Sequence, residues 1–362
     1  MLKVQEFLRE HGLEKLESKY QIKVTRNDDD DRILLNYNHL DKEHKTSPIT
    51  RECRGLCLDK NDFSLISRGF YRFFNLGEWR ADDNKFDWND CISQEKVDGT
   101  FLNVFYYKGR WRVCTRGSFG DIPLYPDGPT PEQLFNNIIG NSTVFMDTRK
   151  THIFELCSRH NKIVRDYPTD TLFLLSMFDG ETELPLDYVE SERDGINGKI
   201  GKIQTPDRFN FKSAEEVIKF IQNRSEQDKT FEGIIVRDKD NNRLKIKNPD
   251  YLILHRLKGE GNSFHPKNLI KFILSGETDE LLIYFPETKP KVREMQSVLD
   301  SEFRGLQEAW ERLKYSATRK DFALGITPNL KTKSLLFRAL DTGLPLSQLW
   351  SESEGLLLKL LF

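Results

Sequence analysis

The chain contains 362 residues, more than one ordinary hydrophobic core usually accommodates, so two domains are expected. Its 55 basic and 57 acidic residues nearly balance, which excludes a globally polybasic protein and confines any nucleic-acid surface to a local patch. Five cysteines form neither a disulfide framework nor a tetrahedral metal pattern. No apolar run is long enough to cross a membrane, and no signal-peptide pattern is present. These features predict a soluble protein of a reducing cytoplasm.

The N-terminal segment has apolar residues at helical spacing between Val4 and Leu16, which predicts an amphipathic helix. The acidic run Asp28–Asp31 then predicts a solvated loop.

The segment from Arg32 to Lys247 consists mostly of short apolar runs rich in β-branched and aromatic residues, which predict strands. Ser213 to Glu216 has the spacing of a capping box and predicts a helix that runs through Ile221. The predicted strands are Phe101–Tyr107 and Trp111–Thr115, which flank Lys108-Gly109 as a hairpin, and Ile153–Leu156, Leu172–Phe178, Gly233–Val236 and Leu244–Ile246. This texture predicts an α+β fold of mixed antiparallel sheets.

The segment after about Tyr251 changes to apolar residues spaced by three and four positions, which predicts a helical bundle. We place the boundary near residues 255–262, where Gly259–Ser263 makes a link. The predicted domains are residues 1–254 and an all-α domain of residues 255–362. The predicted helices are Leu269–Leu274, Val292–Leu313, Lys331–Leu340 and Leu349–Phe362.

Lys96 opens the tetrad Lys96-Val97-Asp98-Gly99 between two strand-like runs. A lysine at such a junction is expected to face a pocket, and Gly99 is expected to let the backbone approach a nucleotide closely. A neutral lysine beside groups that absorb phosphate charge can attack a nucleotide α-phosphate. The tetrad is short, and a solvated turn is the alternative interpretation.

Two downstream segments offer charged partners for this lysine. Lys245 and Lys247 share a face if they lie in a strand, and two cations there can depress a neighbouring lysine pKa and stabilise a transferring phosphate. Glu232 precedes an apolar strand, where it can hold a ribose hydroxyl or a Mg²⁺-bound water. Glu155 interrupts an apolar run in a comparable way. Exposed strand faces are the alternative for all four.

Three arginines are candidates for phosphate recognition, because the guanidinium fork gives fixed bidentate donors: Arg54, Arg72 and Arg116. Phe73 or Phe74 is expected to stack on a base, with core packing the expected fate of the other. Neither a Walker phosphate loop nor a dinucleotide glycine fingerprint is present. Triphosphate binding is therefore expected to depend on side-chain cations and Mg²⁺.

In this order, the four segments around Lys96, Glu155, Glu232 and Lys245 resemble the motifs of covalent nucleotidyltransferases, the superfamily of polynucleotide ligases and capping enzymes. The flanking segments are similar to relatives of phage T4 RNA ligase 1: Arg32–Asn38, Glu52–Gly55, Arg72–Glu78 and Asn161–Tyr167. The resemblance covers residues 30–258 well and the helical tail loosely.

The resemblance implies that Lys96 is the adenylated residue, that Tyr37 approaches the adenine, and that Tyr251 is needed for ligation. It implies that Asp279 lies in an acidic stretch linked to a metal, with a simple helix-surface carboxylate as the alternative. The other implied residues are Arg54, Arg72, Phe74, Glu155, Glu232, Lys245 and Lys247 for ATP, Asp98, Gly99 and Arg116 for ligation, and Glu155 and Glu232 for Mg²⁺, with Mn²⁺ as a substitute. The family usually has lysine at the positions of Arg72 and Arg116, which puts the triphosphate geometry there in question.

The resemblance implies an ATP-dependent RNA ligase that joins 5′-phosphate and 3′-hydroxyl RNA ends through lysyl-AMP and adenylylated-RNA intermediates. RNA repair is the implied role, with cleaved tRNA as a candidate partner. A monomer is expected, without membrane association, in the cytoplasm or in a host cytoplasm if the gene belongs to a phage.

Two alternatives stay open. The same chemistry can serve a DNA ligase or a GTP-driven capping enzyme, but those enzymes normally carry an OB-fold after the lysine strand, where helices are predicted here. A non-catalytic RNA-binding protein on a ligase scaffold would be expected to lose the nucleophile or its partners, and all are present. The helical tail is expected to act as an RNA-specificity module or a protein-interaction surface. Its basic cluster either contacts RNA phosphates or is solvated: Arg312, Lys314, Arg319 and Lys320.

Overall fold

The computed structural model describes residues 1–27, 30–39, 41, 43–78, 85–161, 163–201, 203–256 and 266–361. The chain divides into two compact units, Met1–His255 and Arg256–Phe362. The predicted link at Gly259–Ser263 lies outside the described residues.

The first unit combines strands with six α-helices among its described residues. The strands are β1 (Lys23–Asn27), β2 (Arg32–Asn36), β3 (Arg54–Asp59), β4 (Leu65–Ser67), β5 (Phe74–Asn75), β6 (Cys91–Glu95), β7 (Thr100–Tyr107), β8 (Arg110–Cys114), β9 (Thr151–Cys157), β10 (Thr171–Asp179), β11 (Thr182–Glu183), β12 (Ile203–Gln204), β13 (Arg208–Phe209), β14 (Gly233–Asp238) and β15 (Arg243–Lys247). The helices are α1 (Lys3–Tyr20), α2 (Pro48–Glu52), α3 (Pro131–Ile139), α4 (Leu186–Ile200), α5 (Ala214–Gln227) and α6 (Pro249–Arg256), with short 3₁₀ helices at Gly140–Phe145 and Arg159–Asn161.

The strands form three sheets. The first has the order β1–β2–β3–β4, and the second has the order β11–β10–β9–β7–β8, with β12 beside β10. The third has the order β13–β6–β14–β15–β5. The β10–β12 and β15–β5 pairs are parallel and the other described pairs are antiparallel. The α+β fold with mixed sheets that the sequence predicts is confirmed.

Each sheet has its own apolar packing. Helices α3 and α4 pack on the second sheet, where Phe135 and Phe154 are fully buried. Helix α5 packs on the third sheet through Val217 and Ile221. Ser213 begins α5 as predicted, because its Oγ accepts a hydrogen bond from Glu216 N.

The second unit is helical wherever the structure describes it. Its core includes Leu299, Leu306, Phe322 and Leu336, all of them buried. The helices are α7 (Pro266–Leu274), α8 (Thr278–Tyr284), α9 (Lys289–Leu313), α10 (Arg319–Gly325), α11 (Ser334–Thr342), α12 (Leu346–Ser351) and α13 (Glu354–Leu361), with a 3₁₀ turn at Pro286–Thr288.

The structure corrects several predicted elements. The stretch Leu349–Phe362 is two helices, because Ser353 Oγ bonds back to Leu349 O while the Ser353 carbonyl starts α13. Helix α1 is interrupted at Gly12, where φ is +77°. Helices α3 and α4 lie where only strands were expected.

The acidic loop prediction is wrong for Asp30, and residues 28 and 29 lie outside the described part of the chain. Asp30 is buried, with its carboxylate 2.6 Å from Arg32 Nε and 2.6 Å from Arg112 Nη2. Two buried guanidinium groups offset the cost of burying this carboxylate, and one of them comes from a distant hairpin strand.

Glu183 connects the second sheet to the third. Its Oε1 accepts a 2.6 Å hydrogen bond from Ser176 Oγ and lies 2.8 Å from Arg237 Nη1 and in contact with Arg243 Nη2. Arg237 and Arg243 face each other across β14 and β15, and all three charged side chains are at most 10% exposed. Although burial acts in the opposite direction, the two guanidinium groups lower the pKa of Glu183.

Glu183→Gln should destabilise the protein by about 3–5 kcal/mol, because it leaves two buried cations without their carboxylate. Urea unfolding at neutral pH measures this, with Glu226→Gln on the exposed face of α5 as the matched control. Equal unfolding midpoints for the two variants would contradict the bridging role.

Candidate active site

Lys96 lies at the junction between two sheets. It directly follows β6, and its backbone N donates a 2.8 Å hydrogen bond to Gly233 O of β14. The chain then enters β7 of the second sheet at Thr100. The strand–loop junction that the sequence predicts for Lys96 is therefore present.

Glu232 is the nearest charged partner of Lys96. Its Oε1 lies 2.6 Å from Lys96 Nζ and 3.9 Å from Lys247 Nζ, and its side chain is 7% exposed. Burial raises the pKa of Glu232, while the Lys96 and Lys247 ammonium groups oppose that rise. The neutral amine predicted from the sequence therefore requires this ion pair to open.

Strand β15 presents alternating charged and apolar side chains, as predicted. Leu244 and Ile246 are buried, whereas Lys245 and Lys247 are partly exposed on the opposite face. The two lysines reach different surroundings, because Lys247 lies near Glu232 while Lys245 Nζ lies 5.7 Å from the ring centroid of Phe73.

A cluster of cations surrounds Tyr37, and we name Arg54, Arg72, Arg116 and Lys245 the cation cluster. The guanidinium carbon of Arg72 lies 4.1 Å from the Tyr37 ring centroid, and that of Arg116 lies 5.9 Å away. Burial alone would raise the pKa of Tyr37, but the cation cluster lowers it to about 8. Such a concentration of positive charge around a buried ring suits a polyanionic ligand such as a triphosphate.

Arg54 strengthens this conclusion. Its Nη1 is buried and has no hydrogen-bond partner within the described part of the chain. A buried donor without a partner is costly, and a ligand phosphate would satisfy it.

The sequence interpretation missed His39. Its ring lies 4.8 Å from that of Tyr37, and burial followed by the charges of Arg116, Arg72 and Lys245 lowers its pKa to about 2. His39 is thus a neutral hydrogen-bonding group among cations. Its position two residues after Tyr37 was the available signal.

The two phenylalanines of the predicted stacking pair have different surroundings. Phe74 is 3% exposed and packs beside the Arg72 and Arg51 guanidinium groups. Phe73 is partly exposed and lies near Arg54 and Lys245. Phe73 is therefore the ring that a bound base can reach more easily, although the sequence interpretation assigned Phe74 to ATP.

Asp98 fixes the loop that follows Lys96. Its Oδ1 accepts a 2.8 Å hydrogen bond from the Tyr251 hydroxyl, and its Oδ2 accepts bonds from the backbone N–H groups of Val164 and Arg165. Arg165 in turn donates to Glu95 at 2.9 Å. Asp98 thereby connects the lysine loop to α6 and to the segment after β9.

Gly99 has a packing role that the sequence did not predict. A Cβ at Gly99 would lie 2.6 Å from Leu156 O and 3.0 Å from Cys157 Sγ. The glycine therefore lets the lysine loop pack against β9, and its predicted role in nucleotide approach stays a prediction.

Glu155 is the best-placed group for a divalent cation. It is partly buried, and its pKa is raised to about 8, first by burial and then by the nearby Glu232 and Asp98 carboxylates, against the opposing Lys96 and Arg54. A bound cation would offset this unfavourable burial. Mg²⁺ commonly takes one or two protein carboxylates together with phosphates and water, so Glu155 fits that ion.

The remaining predicted metal ligand, Asp279, lies in the first turn of α8 in the second unit. No group of three or more His, Cys, Asp or Glu side chains suited to a metal ion occurs among the residues described.

Residues 52–251 match the sequence model of a family described as RNA ligase. The chain belongs to the RNA ligase family. This confirms the resemblance found in the sequence.

No helix in the described ranges is long and apolar enough to cross a membrane.

Two relatives are similar over most of the chain. A protein of Autographa californica nuclear polyhedrosis virus, named as a bifunctional polynucleotide kinase/RNA ligase, is 29% identical over 81% of this chain and 43% of its own length. The chain thus spans less than half of that relative. A protein of Thermovibrio ammonificans named as an RNA ligase is 25% identical over 84% of this chain and 79% of its own length.

Among solved structures, an archaeal ATP-dependent RNA ligase is similar in fold. The aligned region covers 82% of each of the two chains, with a TM-score of 0.50 and 15% sequence identity. This likeness supports the ligase fold.

Gly99→Ala should destabilise the protein by about 1–3 kcal/mol, because the added methyl group meets the Leu156 carbonyl of a packed strand. Thermal unfolding measures this. The control is Gly195→Ala, where a Cβ has no neighbour within 4 Å and the helical site should gain about 0.5–1 kcal/mol. Equal stabilities would show that the lysine loop is free to move away from β9.

Glu155→Gln should change the pH dependence of stability. Because the pKa of Glu155 is about 8 in the folded chain instead of 4.5, the folded state holds the extra proton, and the unfolding free energy falls as pH rises through this window. The variant lacks this titration, so its stability relative to wild type should increase from about pH 5 to about pH 9.

Urea unfolding at both pH values, with exposed Glu14→Gln as control, measures the difference. Mg²⁺ should stabilise the wild type at the higher pH more than it stabilises Glu155→Gln. A constant difference between the variants across pH would refute the raised pKa.

Proposed function

We propose that this chain is an ATP-dependent RNA ligase that joins 5′-phosphate and 3′-hydroxyl RNA ends through a lysyl-AMP intermediate on Lys96. One observation supports this most strongly: Lys96 and the Glu232–Lys247 pair lie in the same site as the cation cluster, in which Arg54 has a buried donor without a partner among the described residues. A nucleophilic amine beside preorganised cations is the arrangement that nucleotidyl transfer needs.

In the first step, Lys96 leaves Glu232 and gives its proton to solvent, and the neutral amine attacks the α-phosphorus of ATP. The P–N bond forms as the P–O bond to the β-phosphate breaks, and pyrophosphate leaves. Lys245 and Lys247 offset the charge that builds on the phosphate, and Arg54, Arg72 and Arg116 hold the departing phosphates.

In the second step, AMP passes from Lys96 to the 5′-phosphate of RNA and forms a 5′–5′ pyrophosphate. In the third, a 3′-hydroxyl attacks the RNA phosphate, and AMP leaves. Tyr251 and Asp98 act here by holding the lysine loop, because their 2.8 Å hydrogen bond fixes its position.

Mg²⁺, or Mn²⁺ in its place, would be held by Glu155 with a contribution from Glu232, and would neutralise phosphate charge. Phe73 is the ring more accessible to the adenine, whereas Tyr37, which the resemblance assigns to the adenine, is buried with the Arg72 guanidinium group over its ring. Asp279 remains a proposed metal ligand of the second unit, separate from this set.

The proposed biological role is RNA repair in the cytoplasm, with cleaved tRNA as a candidate substrate and a monomer as the working form. We assign adenylation to residues 1–254 and RNA selection to residues 255–362. DNA ligation and GTP-driven capping are the rivals, and the helices α7 to α13 after β15 disfavour both, because those enzymes carry an OB-fold there.

Incubation with α-labelled ATP and Mg²⁺, followed by a denaturing gel, should leave label on the wild-type protein. Lys96→Ala should abolish the label, and so should Lys96→Arg, because a guanidinium group stays charged and is not a nucleophile. Lys219→Ala, at an exposed position of α5, is the matched control and should label normally.

Label that persists in Lys96→Ala, or a wild type that takes no label, would end the assignment. Labelling with GTP in preference to ATP would favour capping. The labelled protein should then pass AMP to RNA that carries a 5′-phosphate and not to 5′-hydroxyl RNA.

A further inference from the structure

A cavity of about 460 Å³ opens beside the cation cluster. This volume is within the range of pockets that bind small organic ligands. Its walls come from α2, from residues 71–73 and from the turn between β14 and β15. The lining residues that matter here are Arg51, Tyr71, Arg72, Phe73, Asn241 and Arg243.

The cavity shares two wall residues with the proposed nucleotide site. Arg72 lines the cavity and also lies over the ring of Tyr37, and Phe73 lines the cavity and lies beside Lys245. Arg243 belongs to the same face of β15 as Lys245 and Lys247. At about 3.4 Å per residue, Arg243 is about 14 Å along the strand from Lys247.

Tyr71 presents a fixed aromatic surface at this cavity. Its side chain is 43% exposed, although large apolar groups are usually covered. The guanidinium carbon of Arg68 lies 4.1 Å from the ring centroid, and Arg68 Nη1 donates a 3.2 Å hydrogen bond to the Tyr71 hydroxyl. Arg68 is itself buried, so the ring is held in place while part of it stays accessible. Such a ring is suited to stacking with a nucleobase.

The charges at the cavity favour stacking over ion pairing as the main interaction. Arg243 is paired with Glu183, a carboxylate that it shares with Arg237, and the Glu52 carboxylate accepts hydrogen bonds from the backbone N–H groups of Lys3 and Val4. The exposed Asp240 offsets part of the remaining positive charge. Arginines with accessible aromatic rings are the usual composition of a single-strand nucleic-acid site.

The second step requires the RNA 5′-phosphate to lie beside the cation cluster. Phosphoryl transfer proceeds with the attacking and leaving groups roughly in line. Pyrophosphate leaves opposite Lys96 in the first step, so the RNA 5′-phosphate must attack from that same side when Lys96 leaves. An oxygen of the RNA phosphate then forms the new P–O bond, the P–N bond to Lys96 breaks, and the lysine nitrogen takes up a proton.

We propose that the cavity binds the 5′-terminal nucleoside of the RNA strand, with its base stacked on Tyr71 and its 5′-phosphate in the cation cluster vacated by pyrophosphate. This inference rests on the proposed function. The cation cluster thus binds first the pyrophosphate part of ATP and then the RNA 5′-phosphate. The cavity is occupied only when RNA is bound.

The test compares Tyr71→Ala, Tyr71→Phe and Tyr188→Ala, the last at an equally exposed tyrosine of α4. Two quantities are measured for each full-length variant: labelling of Lys96 by α-labelled ATP, and binding of a 5′-phosphorylated single-stranded oligoribonucleotide by fluorescence anisotropy. AMP transfer from prelabelled protein to the same RNA is followed in a single turnover.

Tyr71→Ala should label like wild type but bind the RNA about fivefold or more weakly, with a matching rise in the RNA concentration needed for AMP transfer. Tyr71→Phe keeps the ring and should retain binding, and Tyr188→Ala should be unchanged. Unaltered RNA binding and transfer in Tyr71→Ala would overturn the subsite. A Tyr71→Phe variant that loses RNA binding and AMP transfer as Tyr71→Ala does would also overturn the subsite. The hydroxyl contact to Arg68, and not the ring, would then be what matters.

A wild type that takes no label would defeat the proposed function, and the binding comparison would still decide whether RNA occupies the cavity. The two failures are therefore distinguishable.

Discussion

The antiparallel pairing of β6 with β14 and of β14 with β15 is the constraint on which the site depends. It sets Lys96 N against Gly233 O and places Lys247 opposite Gly233 in the next strand. Gly233 has φ of +145°, and a Cβ there would collide with the Ile246 carbonyl, so this close pairing needs glycine. Because the register is fixed, Glu232 is delivered to the Lys96 amine from a distant part of the chain.

The site is electrostatically unbalanced in two places, and each imbalance points to a ligand. Four cations converge on Tyr37, whose lowered pKa reports their field, while Arg54 keeps an unsatisfied buried donor. Nearby, Glu155 carries a raised pKa because burial and other carboxylates disfavour its charge. A triphosphate with a divalent cation supplies charge of the right sign to both. Binding sites are commonly complementary to their ligand at the expense of their own stability.

Local patterns predicted most of the elements around the site. Three such elements are the alternation of charged and apolar side chains in β15, the hairpin of β7 and β8, and the Ser213 cap of α5. They depend on neighbouring residues, so they can be predicted without knowledge of the fold. Helix α3 was missed although Thr130 caps it and Pro131 occupies its first turn, a local signal that was available. The burial of Asp30 could not be predicted from the sequence, because Arg112 reaches it from another strand.

The sequence by itself determined the chemical groups of the site, their order along the chain and the shared face of Lys245 and Lys247, since side-chain alternation is a property of any strand. Only the tertiary structure decided that Lys247 joins Glu232 while Lys245 joins the cation cluster, and that Gly99 is needed for packing. It also decided that His39 lies beside Tyr37 and that Tyr71 lines a cavity with Arg72. Those facts depend on pairings between distant segments, and a linear pattern contains no information on which buried surfaces will meet.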